Sequence, residues 1–181
     1  IVSESERVSR LINNILDLEK LATGKEKLDL NENSIKETIL KSIDPFRQLA
    51  VNKGIKMDLN EINDATVVYD EDRIQQVIVN LMSNAFKFSN EKNGEVKIST
   101  YVNQNKVEIT VEDNGKGIEP AYHEKIFNVF TKLENNNNSS GIGLSIVKKI
   151  IEFYNGRIWL ESYPNLGTSF YFSIPKSYGT T

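Results

Sequence analysis

The chain has 181 residues, of which 39% are hydrophobic and 26% charged, and this is enough for one globular domain with a substantial core. The formal net charge of −3 argues against a general nucleic-acid-binding surface, and no apolar run approaches the roughly 20 residues that cross a bilayer. The chain has no cysteine, which excludes disulfides and cysteine-ligated zinc and fits a reducing compartment.

The first predicted element is an amphipathic helix over residues 3–22, which we expect to end at Gly24. The stretch EKLDLN, residues 26–31, then alternates like a β-strand. The apolar side chains of the helix form a coiled-coil-like stripe, which requires a partner helix to cover it. The stripe consists of Val8, Leu11, Ile12, Ile15 and Leu18, with either Leu16 or Leu21.

Helices and strands mix in the middle of the chain. Ser34 and Glu37 have the spacing of a capping box, which predicts a helix from Ser34 to about Asn52, interrupted by Pro45. A second helix is predicted over residues 71–88. Short runs rich in β-branched residues predict strands at 54–60, at 65–70 and, as a hairpin that turns at 103–105, at 95–113.

The last third of the chain predicts two helices and a hairpin. Pro120 favours the start of a short helix that runs to about Phe130, and the polar residues 131–141 predict a mobile loop. Residues 143–154 predict a helix, and residues 156–162 and 168–175 predict a final pair of strands. This element order indicates an α+β fold, a two-layer α/β sandwich with helices on one face of a mixed sheet.

The helix at 71–88 carries an unusual polar stripe beside its apolar face. At about 100° per residue, Asn80, Asn84 and Lys87 fall on this stripe. Asparagine is unfavourable in a helix interior, because its amide competes for backbone hydrogen bonds. A neutral carbonyl oxygen can ligate Mg²⁺, and a lysine can meet phosphate oxygens. The alternative is a surface face that is merely rich in amides.

Two glycine-containing segments add to this pattern. In the first, Asp113 ends a strand and precedes Gly115 and Gly117, so a carboxylate could accept a hydrogen bond from an exocyclic amine. In the second, Gly141 and Gly143 precede an apolar helix, whose free amides favour phosphate. Each segment alone is also compatible with an ordinary turn.

The order of these segments resembles the ATP-binding catalytic domain of bacterial sensor histidine kinases, in the wider gyrase–Hsp90–histidine kinase superfamily. The resemblance covers essentially the whole chain, and it implies the Bergerat-type ATP-binding fold. Its N box is DEDRIQQVIVNLMSNAFKF, its first glycine box is DNGKGI, its phenylalanine box is IFNVFTKLE, and its second glycine box is GIGLSIVKKI, with GTSF closing the fold.

The resemblance implies a site for ATP and Mg²⁺. Asn84 would ligate Mg²⁺, Asn80 would position the phosphates and metal-bound water, and Lys87 would contact phosphate. Asp113 would recognise the adenine amino group, with Thr168 near the adenine. The remaining residues that would line the nucleotide or reach its phosphates are Phe88, Gly115, Gly117, Ile118, Phe130, Gly141, Ile142, Gly143 and Leu144, under a lid at 131–140 that contains Lys132.

The resemblance also implies a reaction. Relatives that hydrolyse ATP have a glutamate at the position of Asn80, and an amide cannot accept the proton of an attacking water. The resemblance implies that the γ-phosphate passes instead to a histidine on a helical hairpin. Residues 1–24 resemble the second helix of that hairpin. We expect the acceptor helix to precede Ile1, and we interpret His123, beside the phenylalanine box, as a surface residue.

The predicted organisation is a partial dimerisation helix at 1–24, an ATP-binding catalytic domain at 25–176 and a tail at 177–181. The implied partners are the phosphoacceptor hairpin and the receiver domain of a response regulator. The resemblance also implies that the full-length parent protein is a homodimer and that this domain lies in the cytoplasm. It leaves open whether the parent protein is anchored in a membrane. Two alternatives remain open: a nucleotide-binding regulatory module without transfer activity, and a serine kinase of the anti-sigma type.

Overall fold

The structure of the chain, a computed structural model, describes residues 4–23, 27–131 and 141–177. These residues form helices and strands in an alternating order, with two short 3-10 helices at Pro120–Tyr122 and Lys125–Phe127. In chain order the elements are α1 (Glu4–Ala22), β1 (Asn31–Ser34), α2 (Ile35–Lys53), β2 (Lys56–Asp58), β3 (Thr66–Tyr69), α3 (Glu71–Phe88), β4 (Glu95–Val102), β5 (Lys106–Asp113), α4 (Gly143–Phe153), β6 (Arg157–Tyr163) and β7 (Gly167–Pro175).

Five strands form one mixed sheet in the order β2-β4-β5-β7-β6. The edge strand β2 runs parallel to β4, and all other neighbours are antiparallel. Strands β1 and β3 pair separately as a small antiparallel ribbon. In the central strand β5, Asp113 lies opposite Val96 of β4 and Thr168 of β7. The register therefore places the carboxylate of Asp113 at one end of the sheet, between two neighbouring strands.

The core lies between one face of this sheet and helices α2, α3 and α4. Alternate residues of β5 are buried, namely Val107, Ile109 and Val111, whereas the residues between them are not. The apolar face of α3 is also buried, and α3 contacts both α2 and α4. Burial on one side of each element is what drives these layers together. The predicted α+β two-layer sandwich is therefore confirmed.

Capping residues fix where two of the helices begin. The Ser34 hydroxyl accepts a hydrogen bond from the Glu37 N–H at 3.1 Å, as the capping-box spacing predicts. The Asp70 carboxylate caps α3 by accepting from the Arg73 N–H at 3.2 Å. Its other oxygen accepts from the Asp29 N–H at 2.9 Å, which ties the segment before β1 to the start of α3.

Helix α1 packs against α4 and also contacts α3. Its Asp17 carboxylate accepts from the Gln76 amide at 3.3 Å and lies 3.6 Å from the Arg73 guanidinium. Several apolar residues of the predicted stripe stay exposed, among them Ile12 and Leu16. In the described part of the chain, no helix combines the length and the apolar character that crossing a membrane requires.

Three predictions are wrong in detail. Pro45 does not interrupt α2, which continues through it. Of the strand predicted at 26–31, residues 27–30 have no strand pairing, and β1 occupies 31–34 instead, where it pairs with β3. The helix predicted from Pro120 to Phe130 is replaced by the two 3-10 helices, because Asn128 is extended and Phe130 has a φ of 65°. The predicted helix end at Gly24 and most of the predicted loop at 131–141 lie outside the described residues.

Candidate functional site

The polar stripe of α3 forms one side of the candidate site. The Asn80 side chain donates from Nδ2 to the Gln76 carbonyl oxygen, one turn earlier, at 2.9 Å. This bond uses one proton of the amide nitrogen and leaves the Asn80 Oδ1 oxygen available to accept a hydrogen bond. One turn further on, Asn84 is half-buried, and no hydrogen bond to its side chain occurs among the described residues. The stripe therefore presents two amide oxygens, one turn apart, along one edge of the helix.

The start of α4 approaches this stripe at Gly143. A Cβ atom on Gly143 would lie 2.7 Å from Asn80 Oδ1, closer than real Cβ contacts allow. Glycine lets the first turn of α4 come this near to the amide without displacing the Asn80 side chain. The second glycine segment and the asparagine helix are therefore neighbours in the fold, although more than 60 residues separate Asn80 from Gly143 in the chain.

Asp113 occupies the other end of the candidate site, with 6% of its surface exposed. Burial raises the pKa of its carboxyl group to about 6, although the backbone N–H groups of Gly115 and Thr168 donate to it and oppose that shift. The bond from Gly115 to Oδ1 measures 2.8 Å. A carboxylate that is held by two backbone donors keeps a fixed orientation and retains lone pairs for a ligand.

Gly115 brings the Asp113 loop against the end of α3. A Cβ atom on Gly115 would overlap the carbonyl oxygen of Phe88, so no larger residue fits there without displacing the loop. The Phe88 ring lies under two cations: Lys87 Nζ at 4.8 Å and Lys116 Nζ at 5.1 Å from its centroid. This end of the site therefore combines a buried carboxylate with an aromatic ring and positive charge.

A buried serine that the sequence reasoning missed supports the same end of the site. The Ser162 hydroxyl contacts the Ile118 N–H at 2.8 Å, the Gly167 carbonyl at 2.8 Å and the Thr168 hydroxyl at 2.9 Å. It joins the loop that follows Asp113 to strands β6 and β7. A lone serine near the end of a strand has no pattern that marks it, so only the register of β6 against β7 reveals it.

Gly117 lies against the turn between β6 and β7, where a Cβ atom on it would overlap the Tyr163 carbonyl oxygen. Other predicted residues lie around the start of α4. Ile142 is fully buried, and Leu144 and Gly141 are half-buried. The Gly141 carbonyl accepts from the Phe130 N–H at 2.9 Å, which joins the end of the phenylalanine segment to the second glycine segment. The Phe130 side chain is 62% exposed. Lys132 lies outside the described residues, as does most of the predicted lid.

We use the name α3 site for the arrangement of Asn80, Asn84, Phe88, Asp113 and Gly143. Asn80 and Phe88 are about 12 Å apart along the helix axis, at a rise of about 1.5 Å per residue. Among the described residues, no three His, Asp or Glu side chains cluster in a way that could hold a metal ion. Asn84 is a neutral oxygen donor that has no hydrogen-bond partner among the residues that the structure describes, which suits a hard cation that also takes ligands from phosphate and water.

The chain matches the family model described as histidine kinase-, DNA gyrase B- and HSP90-like ATPase over residues 69–178. It is also similar to the phytochrome-like protein Cph1 from Synechocystis sp., with 35% identity over 167 residues. That similarity covers 91% of this chain and 22% of Cph1. The chain spans between about a fifth and just under half of the length of such curated relatives.

Solved structures resemble this fold closely. The catalytic domain of the histidine kinase ThkA shares 34% identity at a TM-score of 0.75, over 82% of this chain and 97% of that one. ThkA in complex with the response regulator protein TrrA shares 32% identity at a TM-score of 0.76, over 96% of this chain and 49% of that one.

Proposed function

Because this chain belongs to the family of histidine kinase-, DNA gyrase B- and HSP90-like ATPases, as the ATP-binding catalytic domain of a two-component sensor histidine kinase, we propose how its residues act on ATP. The nucleotide binds along the α3 site as Mg-ATP, with its base at Asp113 and its phosphates between Asn80 and Gly143. The γ-phosphate is then presented to a histidine on a helical hairpin. The single observation that carries this proposal is the approach of one glycine segment to the middle and of the other to the C-terminal end of the same asparagine-bearing helix.

At the base end, the Asp113 carboxylate accepts a hydrogen bond from the adenine amino group. Its burial and its two backbone donors support this role, because they fix the carboxylate before the ligand arrives. The walls of the base pocket are formed by Gly115, Gly117 and Ile118, together with the ring of Phe88. Thr168 lies opposite Asp113 in the pairing of β5 with β7.

At the phosphate end, Asn84 would hold Mg²⁺, and Asn80 would orient the phosphates and metal-bound water. When bound, Mg²⁺ neutralises charge on the phosphate oxygens. For Lys87, whose Nζ lies 4.8 Å from the Phe88 centroid, a contact with phosphate is proposed from the family resemblance. The backbone N–H groups at the start of α4, after Gly141 and Ile142, suit phosphate oxygens. Leu144 and Phe130 would border this end. For Lys132, a contact with the γ-phosphate is proposed from the family resemblance alone.

The chemistry proposed is phosphoryl transfer without efficient hydrolysis. The amide of Asn80 cannot take a proton from water, and its Nδ2 is already bonded to the Gln76 carbonyl. The γ-phosphorus would therefore keep its bond to the bridging oxygen of ADP until the imidazole nitrogen of a histidine attacks. That bond then breaks, ADP leaves, and a phosphorus–nitrogen bond forms. Catalysis here depends on positioning and charge stabilisation.

The partners proposed are the phosphoacceptor hairpin and the receiver domain of a response regulator. The crystallised complex of ThkA with a response regulator supports the second partner. For the first, the exposed side chains of Ile12, Ile15 and Leu16 on α1 support a packing partner in a homodimer. We also propose that this domain works in the cytoplasm, where ATP is available.

Calorimetry of Mg-ATP binding tests the site. Asp113→Asn and Asn84→Ala should each abolish measurable binding while the domain stays folded. Asp44→Asn and Asn52→Ala are matched controls, because both positions are exposed on α2 and distant in sequence from the α3 site. Unchanged affinity in both site variants would discard the assignment.

Transfer is tested by extending the chain at its N-terminus with a complete acceptor helix. Incubation with labelled ATP should then yield a phosphorylated protein whose label is labile in acid and stable in alkali. An acid-stable product would favour the serine-kinase alternative. Nucleotide binding without any labelled protein would favour the regulatory module.

A further inference from the structure

The hydrogen bonds of Ser162 determine where the hydroxyl proton of Thr168, the residue opposite Asp113, points. Ser162 is 2% exposed and lies opposite Thr168 in the pairing of β6 with β7. Its hydroxyl oxygen has three neighbours within hydrogen-bond distance: the Ile118 nitrogen and the Gly167 carbonyl oxygen at 2.8 Å, and the Thr168 hydroxyl at 2.9 Å. A serine hydroxyl offers one proton and two lone pairs, so all three contacts can form at once in one arrangement only.

That arrangement follows from what each neighbour can do. The Gly167 carbonyl can only accept, so it takes the Ser162 proton. The Ile118 N–H can only donate, so it uses one lone pair of Ser162. The remaining lone pair must accept from the Thr168 hydroxyl, which therefore spends its single proton on Ser162. The lone pairs of Thr168 are then the only hydrogen-bonding capacity that its hydroxyl retains.

Asp113 lies opposite Thr168, and its carboxylate, like the Thr168 hydroxyl, can only accept a further hydrogen bond. Its carboxylate already accepts from the Thr168 and Gly115 N–H groups, and the ionised form has no proton to donate. The side-chain oxygens of Asp113 and Thr168 therefore both act as acceptors toward any group that enters between them. A ligand group that donates is stabilised at this place, and a ligand group that carries only lone pairs is repelled.

We infer that Ser162 is a positioning residue for base specificity, which makes the pocket select a 6-amino purine over a 6-oxo purine. Adenine presents an exocyclic amine with two N–H donors, whereas hypoxanthine and guanine present an oxygen at the same ring position. Ser162 does not touch the base and acts by holding the Thr168 proton away from it. The inference rests on the proposed function, since it takes Asp113 and Thr168 as the base end of the site.

The test compares Mg-ATP with Mg-ITP, which differ at the 6-position, by calorimetry on the full chain. The wild type should bind ATP much more tightly than ITP. Ser162→Ala frees the Thr168 proton to meet the 6-oxygen, so the ATP-to-ITP affinity ratio should fall roughly tenfold, the scale of one neutral hydrogen bond gained. Ser162→Cys keeps the volume with a weak acceptor and should change the ratio in the same direction, which guards against a loss of folding in the alanine variant.

Thr168→Val removes the hydroxyl and serves as the matched control. The double variant Ser162→Ala/Thr168→Val should have the same ratio as Thr168→Val alone, because the donor that relaxes specificity is gone. A loosened pocket would instead weaken ATP and ITP by the same factor and leave the ratio unchanged, and this would overturn the inference. If the wild type binds no ATP, the proposed function itself fails; if it binds ATP and only the variant ratios stay fixed, the inference alone fails.

Discussion

Gly143 stands so close to Asn80 that a Cβ atom on the glycine would lie 2.7 Å from the asparagine Oδ1. The first residue of α4 and the middle of α3 therefore share one small space. The Asn80 side chain is also held from the other direction by its bond to the Gln76 carbonyl at 2.9 Å. A larger residue at position 143 should therefore displace the Asn80 amide, which we propose positions the phosphates.

Gly143→Ala should weaken Mg-ATP binding about tenfold while the fold is retained. The added methyl group must displace the Asn80 side chain, and a crowded contact of this kind costs on the order of 1–3 kcal/mol. Calorimetry gives the affinity, and thermal unfolding checks the fold. In an Asn80→Ala background the clash is absent, so the further loss caused by Gly143→Ala should disappear. An equal loss in both backgrounds would show that the effect does not pass through Asn80.

The buried carboxyl of Asp113 predicts a pH dependence of stability. Its pKa is raised to about 6 in the folded state, from an ordinary value near 3.8. The folded state therefore binds more protons than the unfolded state between these values, and the unfolding free energy decreases as the pH rises through that window. Between pH 5 and pH 8 this group should cost about 1–2 kcal/mol of stability.

Urea denaturation at both pH values measures this effect, with Asp113→Asn as the reference because it cannot ionise. The stability of the wild type relative to the variant should be higher at pH 5 than at pH 8. A difference that does not change with pH, or that changes in the opposite direction, would show that the carboxyl is not destabilised by burial.

The contact of Asp17 with Arg73 and Gln76 predicts how firmly α1 rests on the catalytic domain. Asp17→Ala should speed the hydrogen exchange of α1 amides severalfold, because a partly exposed ion pair is worth up to about 1 kcal/mol. Glu19→Ala is the matched control, since Glu19 is exposed on the same helix. Equal exchange in the two variants would mean that α1 is held by its apolar contacts with α4 alone.

Much of the fold could be predicted because apolar residues recur at regular helical or strand spacing along most elements. The helix at 71–88 and the hairpin at 95–113 were predicted with the bounds that α3, β4 and β5 have. The strand predicted at 26–31 failed because its alternation was local, and the pairing with β3 selects residues 31–34 instead. The helix predicted up to Phe130 failed because tertiary contacts hold that segment: the Phe130 N–H bonds to Gly141, and its φ is positive.

The sequence allowed one feature of the site to be predicted, namely that the two glycine segments lie close to the asparagine-bearing helix. The structure brings Gly143 to Asn80 and Gly115 to Phe88, which the order of the segments suggested. What could not be read from the sequence is the hydrogen bonding inside the site. The bond from Asn80 to Gln76 and the three contacts of Ser162 depend on side-chain directions, for which the sequence contains no periodic signal.

We propose that one adenine nucleotide lies along α3, and a crystal structure of the chain with Mg²⁺ and a non-hydrolysable ATP analogue would show this. We expect the adenine amino group within hydrogen-bond distance of the Asp113 carboxylate, with Mg²⁺ on Asn84 and the phosphates beside Gly143. A nucleotide bound elsewhere on the chain, or a base that does not contact Asp113, would contradict it.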